Sequence, residues 1–405
     1  MTTQSSQTTC CIVGGGPAGI MTGYLLARSG VRVIVLEKHK DFFRDFRGDT
    51  VHPSTLQLFH ELGLLDDFLE IPHQELPFIR GKFGDYVFKT ADFRRLPTQC
   101  KYVALMPQWD LLNFLSAHAK QFPSFDLRME HEVTGLLTSN GRVTGVEVKT
   151  PSGNVQIKAD LVIGCDGRHS ITRQAAHMEV IELGVPIDVL WFRISRKFND
   201  PETSLGNVNY GKVLVLINRS DYFQAGLIIP KGSFDQLQQN GLAAFQQEIS
   251  RIAPWLGNRV FELKDWQQIK LLTVQINRLK QWHQPGLLCI GDAAHAMSPA
   301  GGVGNNLAVQ DAVATANLLA KPLREQSVTE DSLAQVQKRR EFPMRVTQRM
   351  QVLAHKGIAA ISRNPGPAKP PWQLKLVVNL PGFQYLIARM VGMGARPEHI
   401  QLKPK

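Results

Sequence analysis

The sequence predicts an α/β fold in two interleaved lobes, closed by a helical C-terminal region. Three observations predict it. A strand, glycine turn, helix and strand follow one another at the N-terminus; two later apolar runs end in Asp-Gly or Gly-Asp; and between those two lies a series of β-rich runs around a single helical segment. With 405 residues, 43% of them apolar and 20% charged, the chain is long enough for two lobes that share an interface. No internal period or low-complexity block points to a solenoid or to disorder beyond the two ends.

Taken in order, the N-terminal "MTTQSSQTT" is polar and uncharged, and three glycines soon break the apolar run behind it, so it does not read as a signal peptide. No run is long and apolar enough to suggest a bilayer span, which places the protein in the cytoplasm. The five cysteines are odd in number, and Cys10, Cys11, Cys165 and Cys289 sit in or beside strand-like runs, so no disulfide framework is expected.

"CCIVGGGPAGIMTGYLLARSGVRVIVLEK" reads as a complete βαβ unit. Apolar Cys10–Val13 leads into Gly14-x-Gly16-x-x-Gly19, a helix runs over Pro17–Arg28, Gly30 stops it, and Val31–Leu36 ends in Glu37. The first glycine permits the turn, the second lets backbone approach a pyrophosphate, and the third lets helix pack on strand. The helix N-terminus offers unpaired N–H groups to phosphate, and Glu37, 23 residues after Gly14, is placed to accept from a ribose hydroxyl. This much admits either NAD or FAD.

Two further elements choose between them. Leu161–Cys165 ends in Asp166-Gly167, with a Ser170-capped helix beyond. Leu287–Ile290 ends in Gly291-Asp292, followed by "AAHAMSPAGGVGNN" and a helix over 304–319. Acids at strand carboxyl ends lie where open α/β sheets bind ligands. A dinucleotide touched from three distant places is an extended one, and FAD meets that description.

These three motifs, in this order over roughly Thr9 to Leu319, resemble the class A flavoprotein monooxygenases related to para-hydroxybenzoate hydroxylase. The resemblance implies that Gly14, Gly16 and Gly19, with Pro17, Ala18, Glu37 and Lys38, hold the ADP half of FAD. Asp166 and Gly167 then approach the pyrophosphate and the path of the nicotinamide cofactor, and Asp292 binds the ribitol or the pyrophosphate. Pro299, Gly301, Gly302, Gly304, Asn305 and Asn306 border the isoalloxazine ring, where a helix N-terminus stabilises the anion formed on reduction. Arg47 and Gly48 match the family's Arg-containing segment over the flavin, while Gln108 stands where many relatives carry Arg, a neutral amide that can hydrogen-bond FAD but brings no charge. His52, before Pro53, reads as a capping-region residue.

The activity implied is that of an enzyme, an oxidoreductase in which NADPH or NADH reduces FAD, molecular oxygen adds at C4a, and the hydroperoxide hydroxylates an aromatic or polyketide-like small molecule. Flavin reductases and halogenases share the plan, although the paired-Trp motif of halogenases is absent. A non-catalytic FAD-binding protein is the third reading, against which the intact glycines and Asp292 argue. No Ser-His-Asp order, HExxH, paired-Cys zinc spacing or GK[ST] points to a hydrolase or a metal, and no side chain is singled out as acid or base.

The expected organisation is an FAD-binding unit in two parts, 1–174 and 281–325, a substrate lobe over 175–280 and a helical region over 326–405. Val133–Cys165 reads as a three-stranded meander turning at Asn140-Gly141 and Pro151-Ser152-Gly153. The substrate lobe carries β-rich runs at 187–194, 213–217, 223–229 and 269–274 around a helix at 242–252; Trp191, Arg193, Tyr210, Tyr222 and Phe223 are candidate pocket walls. "SLAQVQKRREFPMRVTQRMQVLAHKG" reads as a basic amphipathic helix interrupted at Pro343, and "NPGPAKPP" as a linker. The last segment, apolar on one side, reads as a helix docked on the core or a dimer contact, so the protein is a monomer or homodimer; the sharper alternatives are a peripheral membrane foot or a substrate lid. Net charge is +11, but no zinc-finger spacing, aromatic RNA-binding motif or Arg-rich arm accompanies it, which argues against nucleic acid as a partner.

Overall fold

The computed structural model describes residues 5–43, 50–200, 205–219, 221–362 and 366–402, so Arg47 and Gly48 lie outside the described residues. The first strand, Ser5–Val13, is flanked in parallel by Val33–Leu36 and by the carboxyl half of Gly153–Gly164, with Phe125–Arg128 and Leu287–Cys289 as the next parallel neighbours. Residues buried on both faces make these strands continuous apolar runs rather than alternating ones. Helix Pro17–Arg28 packs on helices Gln108–Ala119 and Val303–Arg324, so the segments bearing the first and third motifs are in direct contact.

The meander forms as expected. Glu132–Ser139 and Arg142–Thr150 pair antiparallel through Asn140 and Gly141, whose φ values of 49° and 74° suit a tight hairpin turn, and the second pairs with Gly153–Gly164.

The second sheet has seven strands in the order 270–272, 187–195, 222–230, 212–219, 205–209, 78–83, 86–92. The hairpin of Phe78–Phe83 and Tyr86–Asp92 therefore departs from the expected boundaries, because Leu205–Asn209 pairs with Phe78–Phe83 in parallel. Sequence order placed this hairpin in the first lobe; the free edge at Leu205–Asn209 recruits it to the second. Helix Leu242–Ile252 covers one face of this sheet over Leu190, Phe192, Leu214 and Leu227.

A second departure is Glu330–Ile361, a single helix that runs through Pro343 without a break. Proline removes one helical N–H, but Pro343 and Met344 are buried with Thr347 and Gln348 in a face held by tertiary packing, which offsets that loss. The final helix, Phe383–Gly392, docks on Ala91, Phe93, Leu96, Val103 and Leu105. No helix among the described residues is long and apolar enough to cross a membrane.

Candidate functional site

The three motifs converge at the carboxyl ends of the parallel strands. Gly14 has φ +102°, and a β carbon there would press on the Cys165 carbonyl; one at Gly19 would fall on the Gly14 carbonyl oxygen. Gly16 instead has nothing within 4 Å on that side, so the second glycine presents bare backbone outward, and helix Pro17–Arg28 starts on it without a side-chain cap. Backbone N–H groups at a bare helix start suit a pyrophosphate. Pro17 and Ala18 form that first turn. The Glu37 carboxylate braces the loop, accepting from the Gly15 N–H at 3.0 Å and from the His39 N–H at 3.1 Å, while Lys38 is exposed beside it.

Asp166 is turned to its own helix. Its two carboxylate oxygens accept from the Thr172 N–H at 3.0 Å and the Thr172 hydroxyl at 2.8 Å, which leaves the left-handed backbone of Gly167 (φ +80°) as the surface facing outward from that strand end. Arg168, which sequence reasoning passed over, ties this strand end to the next: its Nε donates to Asp292 Oδ2 at 3.2 Å and its Nη2 to the Met297 carbonyl at 3.4 Å.

The second glycine turn is held from several sides. Gly301 and Gly302 are left-handed (φ +79° and +62°), and Gly302 begins helix Val303–Arg324 with no side-chain cap. The Gly302 carbonyl accepts from Thr50 Oγ1 at 3.0 Å and from His52 Nε2 at 3.1 Å. Burial lowers the His52 pKa to about 4, against two weaker backbone contacts that raise it, so the ring is neutral and its proton sits on the nitrogen facing that carbonyl. Gln108 Nε2 donates to Asn305 Oδ1 at 3.1 Å, which places the amide that replaces the family's Arg against the first turn of the same helix. Asn306 is buried as a clamp: its Oδ1 accepts from the Ser54 and Thr55 hydroxyls at 2.7 and 2.8 Å.

Behind the loop, three residues of the long helix hold the segment that leads into it. Gln348 donates to the carbonyls of Asn277 and Ala296; Gln351 accepts from the Ser298 N–H at 3.0 Å and donates to the carbonyls of Ser298 and Ala300 at 2.9 and 3.2 Å; His355 pairs with Ser298 Oγ at 2.9 Å. Pro299 lies between these anchors, and Gly304 sits in the first turn of the helix, where a β carbon would meet Met297 only at 3.6 Å.

Two turns further along the helix, Asp311 accepts from the Gly291 N–H at 3.1 Å, His295 Nε2 at 2.5 Å and Arg340 Nε at 2.9 Å, and Arg340 continues to Glu398 in the tail. Burial by itself would raise the Asp311 pKa; His295 and Arg340 outweigh it and hold the carboxyl below its usual range. None of these helix residues belongs to a motif, and the signal that could have found them is weak: polar side chains recurring at three- and four-residue steps on the buried side of an amphipathic helix.

In the second lobe, cross-strand register puts Trp191, Arg193 and Tyr222 on the sheet face opposite the covering helix. Trp191 lies flat over Gly226, whose missing β carbon would come within 2.9 Å of its ring, and the Arg193 guanidinium stacks 4.9 Å over Tyr222. Val352 and Ile358 of the long helix close one end of this face together with Trp191, and Tyr385 of the last helix closes the other against Ile79 and Ile217. Two expected wall residues are elsewhere: Tyr210 occupies a hairpin turn with φ +48° and stacks under Arg251 of the covering helix, and Phe223 alternates to the other face and is buried in the core beneath that helix. Among the described residues no cluster of His, Cys, Asp or Glu could hold a metal ion.

Two glycine turns lie at the carboxyl end of one parallel sheet, each starting an uncapped helix, with a third strand end beside them, and the residues present fit an extended dinucleotide that carries a ring at one end. The fold and site together fit a protein that binds FAD. The FAD binding domain family matches residues 7–350, and the chain belongs to that family. It is similar to the 6-methylpretetramide 4-monooxygenase of Streptomyces rimosus, with 30% identity over 95% of this chain and 92% of that protein. It is also similar to the rifampicin monooxygenase of Streptomyces venezuelae, at 27% identity over 74% of this chain and 61% of the relative's length. The p-nitrophenol 4-monooxygenase PnpA of Pseudomonas putida shares the fold, with a TM-score of 0.75 at 19% identity over 97% of this chain and all of that one.

Proposed function

We propose that this protein consumes NADPH or NADH and molecular oxygen to hydroxylate an aromatic or polyketide-like small molecule, in the cytoplasm, as a monomer or homodimer. Bound FAD would supply hydride acceptance and the activation of oxygen. The protein's own part is to bind, orient and shield. Gly14, Gly16 and Glu37 would hold the ADP half, the backbone at Gly167 and the Asp292 carboxylate the middle, and the turn from Pro299 to Asn305 the ring.

Because Gly301 carries no side chain and Gly302 turns the backbone left-handed against Thr50, the ring can approach the start of helix Val303–Arg324, whose bare N–H groups favour negative charge on its carbonyl edge. The sheet face bearing Trp191, Arg193 and Tyr222 would form the opposite wall, its apolar part excluding water and Arg193 meeting an anionic or phenolic oxygen.

The observation that carries the reading is the braced, uncapped second glycine turn: Thr50, His52 and Gln351 fix its backbone at Gly302 and Ala300, while Gln348 and His355 hold Ala296 and Ser298 just before it, which suits a site that must hold a ring in place. The name of the Streptomyces rimosus relative, which shares nearly the full length, supports the substrate class. The test is a screen of phenols and polycyclic aromatic ketones for stimulated NADPH oxidation with matching oxygen uptake and a product heavier by one oxygen atom. Stimulated NADPH oxidation that yields a reduced or halogenated product would overturn it.

A further inference from the structure

Lys and Arg occur along the whole chain, but the acids that neutralise them do not. From Phe342 to Pro397 there are eight basic residues and no Asp or Glu, so this stretch carries eight of the eleven net positive charges. The same stretch turns apolar side chains outward. Helix Trp372–Val378 is docked by one side: Val378 is buried, Lys375 Nζ lies 5.4 Å over the Tyr86 ring, and Asn379 Nδ2 donates to the Tyr86 hydroxyl at 3.3 Å.

A docked helix ordinarily gives its polar side to water. Here Trp372 and Leu376, one turn apart, are 69% and 55% exposed; Leu380 follows at 48%, and Leu386 on the next helix at 55%. Exposed Lys369 and Arg389 flank them in sequence. The outward stripe of the long helix repeats the composition, with Phe342 and Leu353 alternating with Arg349 and Lys356 at helical spacing.

We propose that this C-terminal surface docks on an anionic lipid bilayer, with Trp372, Leu376 and Leu380 entering the headgroup region and Lys369 and Arg389 meeting lipid phosphates. An aromatic and leucine ridge within a purely basic segment matches both layers of such a surface: apolar side chains gain by leaving water, and each cation gains from the negative surface potential. A second copy fits less well. A two-fold contact through this patch would bring two blocks of eight like charges together. The docking is independent of which molecule the flavin site oxidises.

The experiment is flotation of the FAD-loaded protein with vesicles of phosphatidylcholine alone and of phosphatidylcholine with one-third phosphatidylglycerol, at low and high salt. Binding is expected to the anionic vesicles only, and to weaken with salt. Lys369→Ala should weaken it about fivefold, and Leu376→Ser or Trp372→Ser about tenfold, with flavin content unchanged in each. No binding to anionic vesicles, equal binding to both kinds, or binding indifferent to Leu376→Ser and Trp372→Ser would overturn the proposal. So would a concentration-dependent dimer that Leu376→Ser dissociates, since a second copy would then cover the ridge.

Discussion

Placing an alanine at Gly302 isolates what the second glycine turn contributes. At φ +62° an L-residue costs about 1–2 kcal/mol relative to glycine. Its β carbon would also fall on Thr50 Oγ1 and come within 3.0 and 3.1 Å of Thr50 Cγ2 and Cβ, displacing the hydroxyl that donates to the Gly302 carbonyl, a bond with a net value of about 1 kcal/mol. The two effects act on one short loop and together amount to about 2–3 kcal/mol, equivalent to a roughly 30- to 150-fold loss of FAD affinity if the loop must reach its native shape to hold the ring.

Titrating FAD into apoprotein and following flavin fluorescence measures this directly. Thr50→Ala should itself cost about 1 kcal/mol, and in that background the added cost of Gly302→Ala should fall to the backbone part alone, about 1–2 kcal/mol. FAD binding by Gly302→Ala within twofold of the parent would refute the reasoning. An unchanged cost in the Thr50→Ala background would refute the collision while leaving the backbone strain.

Asp292→Ala removes the carboxylate that Arg168 holds at the third strand end and should weaken FAD binding roughly 10- to 100-fold, as expected for a charge-assisted hydrogen bond; full flavin occupancy in the purified variant would show that Asp292 does not touch the cofactor. Gln351→Leu strands the buried Ser298 N–H and two carbonyls and should destabilise the loop by about 2–4 kcal/mol, read as a lower unfolding temperature that added FAD partly restores; equal melting of variant and parent would place the loop's support elsewhere. For His52, the folded pKa of about 4 lies below the ordinary value of 6.5, so the unfolded chain takes up a proton that the folded one refuses. Stability should therefore fall as pH drops from about 6.5 to about 4, by up to about 3 kcal/mol. His52→Gln, which keeps a donor for the Gly302 carbonyl, should flatten that slope in denaturant titrations, and an unchanged slope would assign it to other groups.

The FAD-binding half was legible because its signals are local. Glycines at 14, 16 and 19, an acid at a strand end, and a second glycine turn are each dictated by backbone that must curve tightly or be approached closely, and that demand falls on residue type in place. Roles that depend on partners from elsewhere in the chain were not legible. Both Asp166 oxygens accept from Thr172, and Asn306 Oδ1 accepts from the Ser54 and Thr55 hydroxyls, 252 and 251 residues away in the chain, contacts that residue type in place does not reveal.

By itself, then, the sequence determined the order of strands and helices, the glycine-lined cleft and the extended ligand it suits, since periodicity and backbone permissiveness are properties of neighbouring residues. The tertiary structure alone decided that the hairpin of residues 78–92 completes the second sheet, that a proline-bearing helix stays straight enough to present Gln348, Gln351 and His355 to the loop, and that the tail leaves Trp372 and Leu376 in water. Those outcomes depend on which free edge or face a segment meets after the chain has folded back, and no local pattern records the partner.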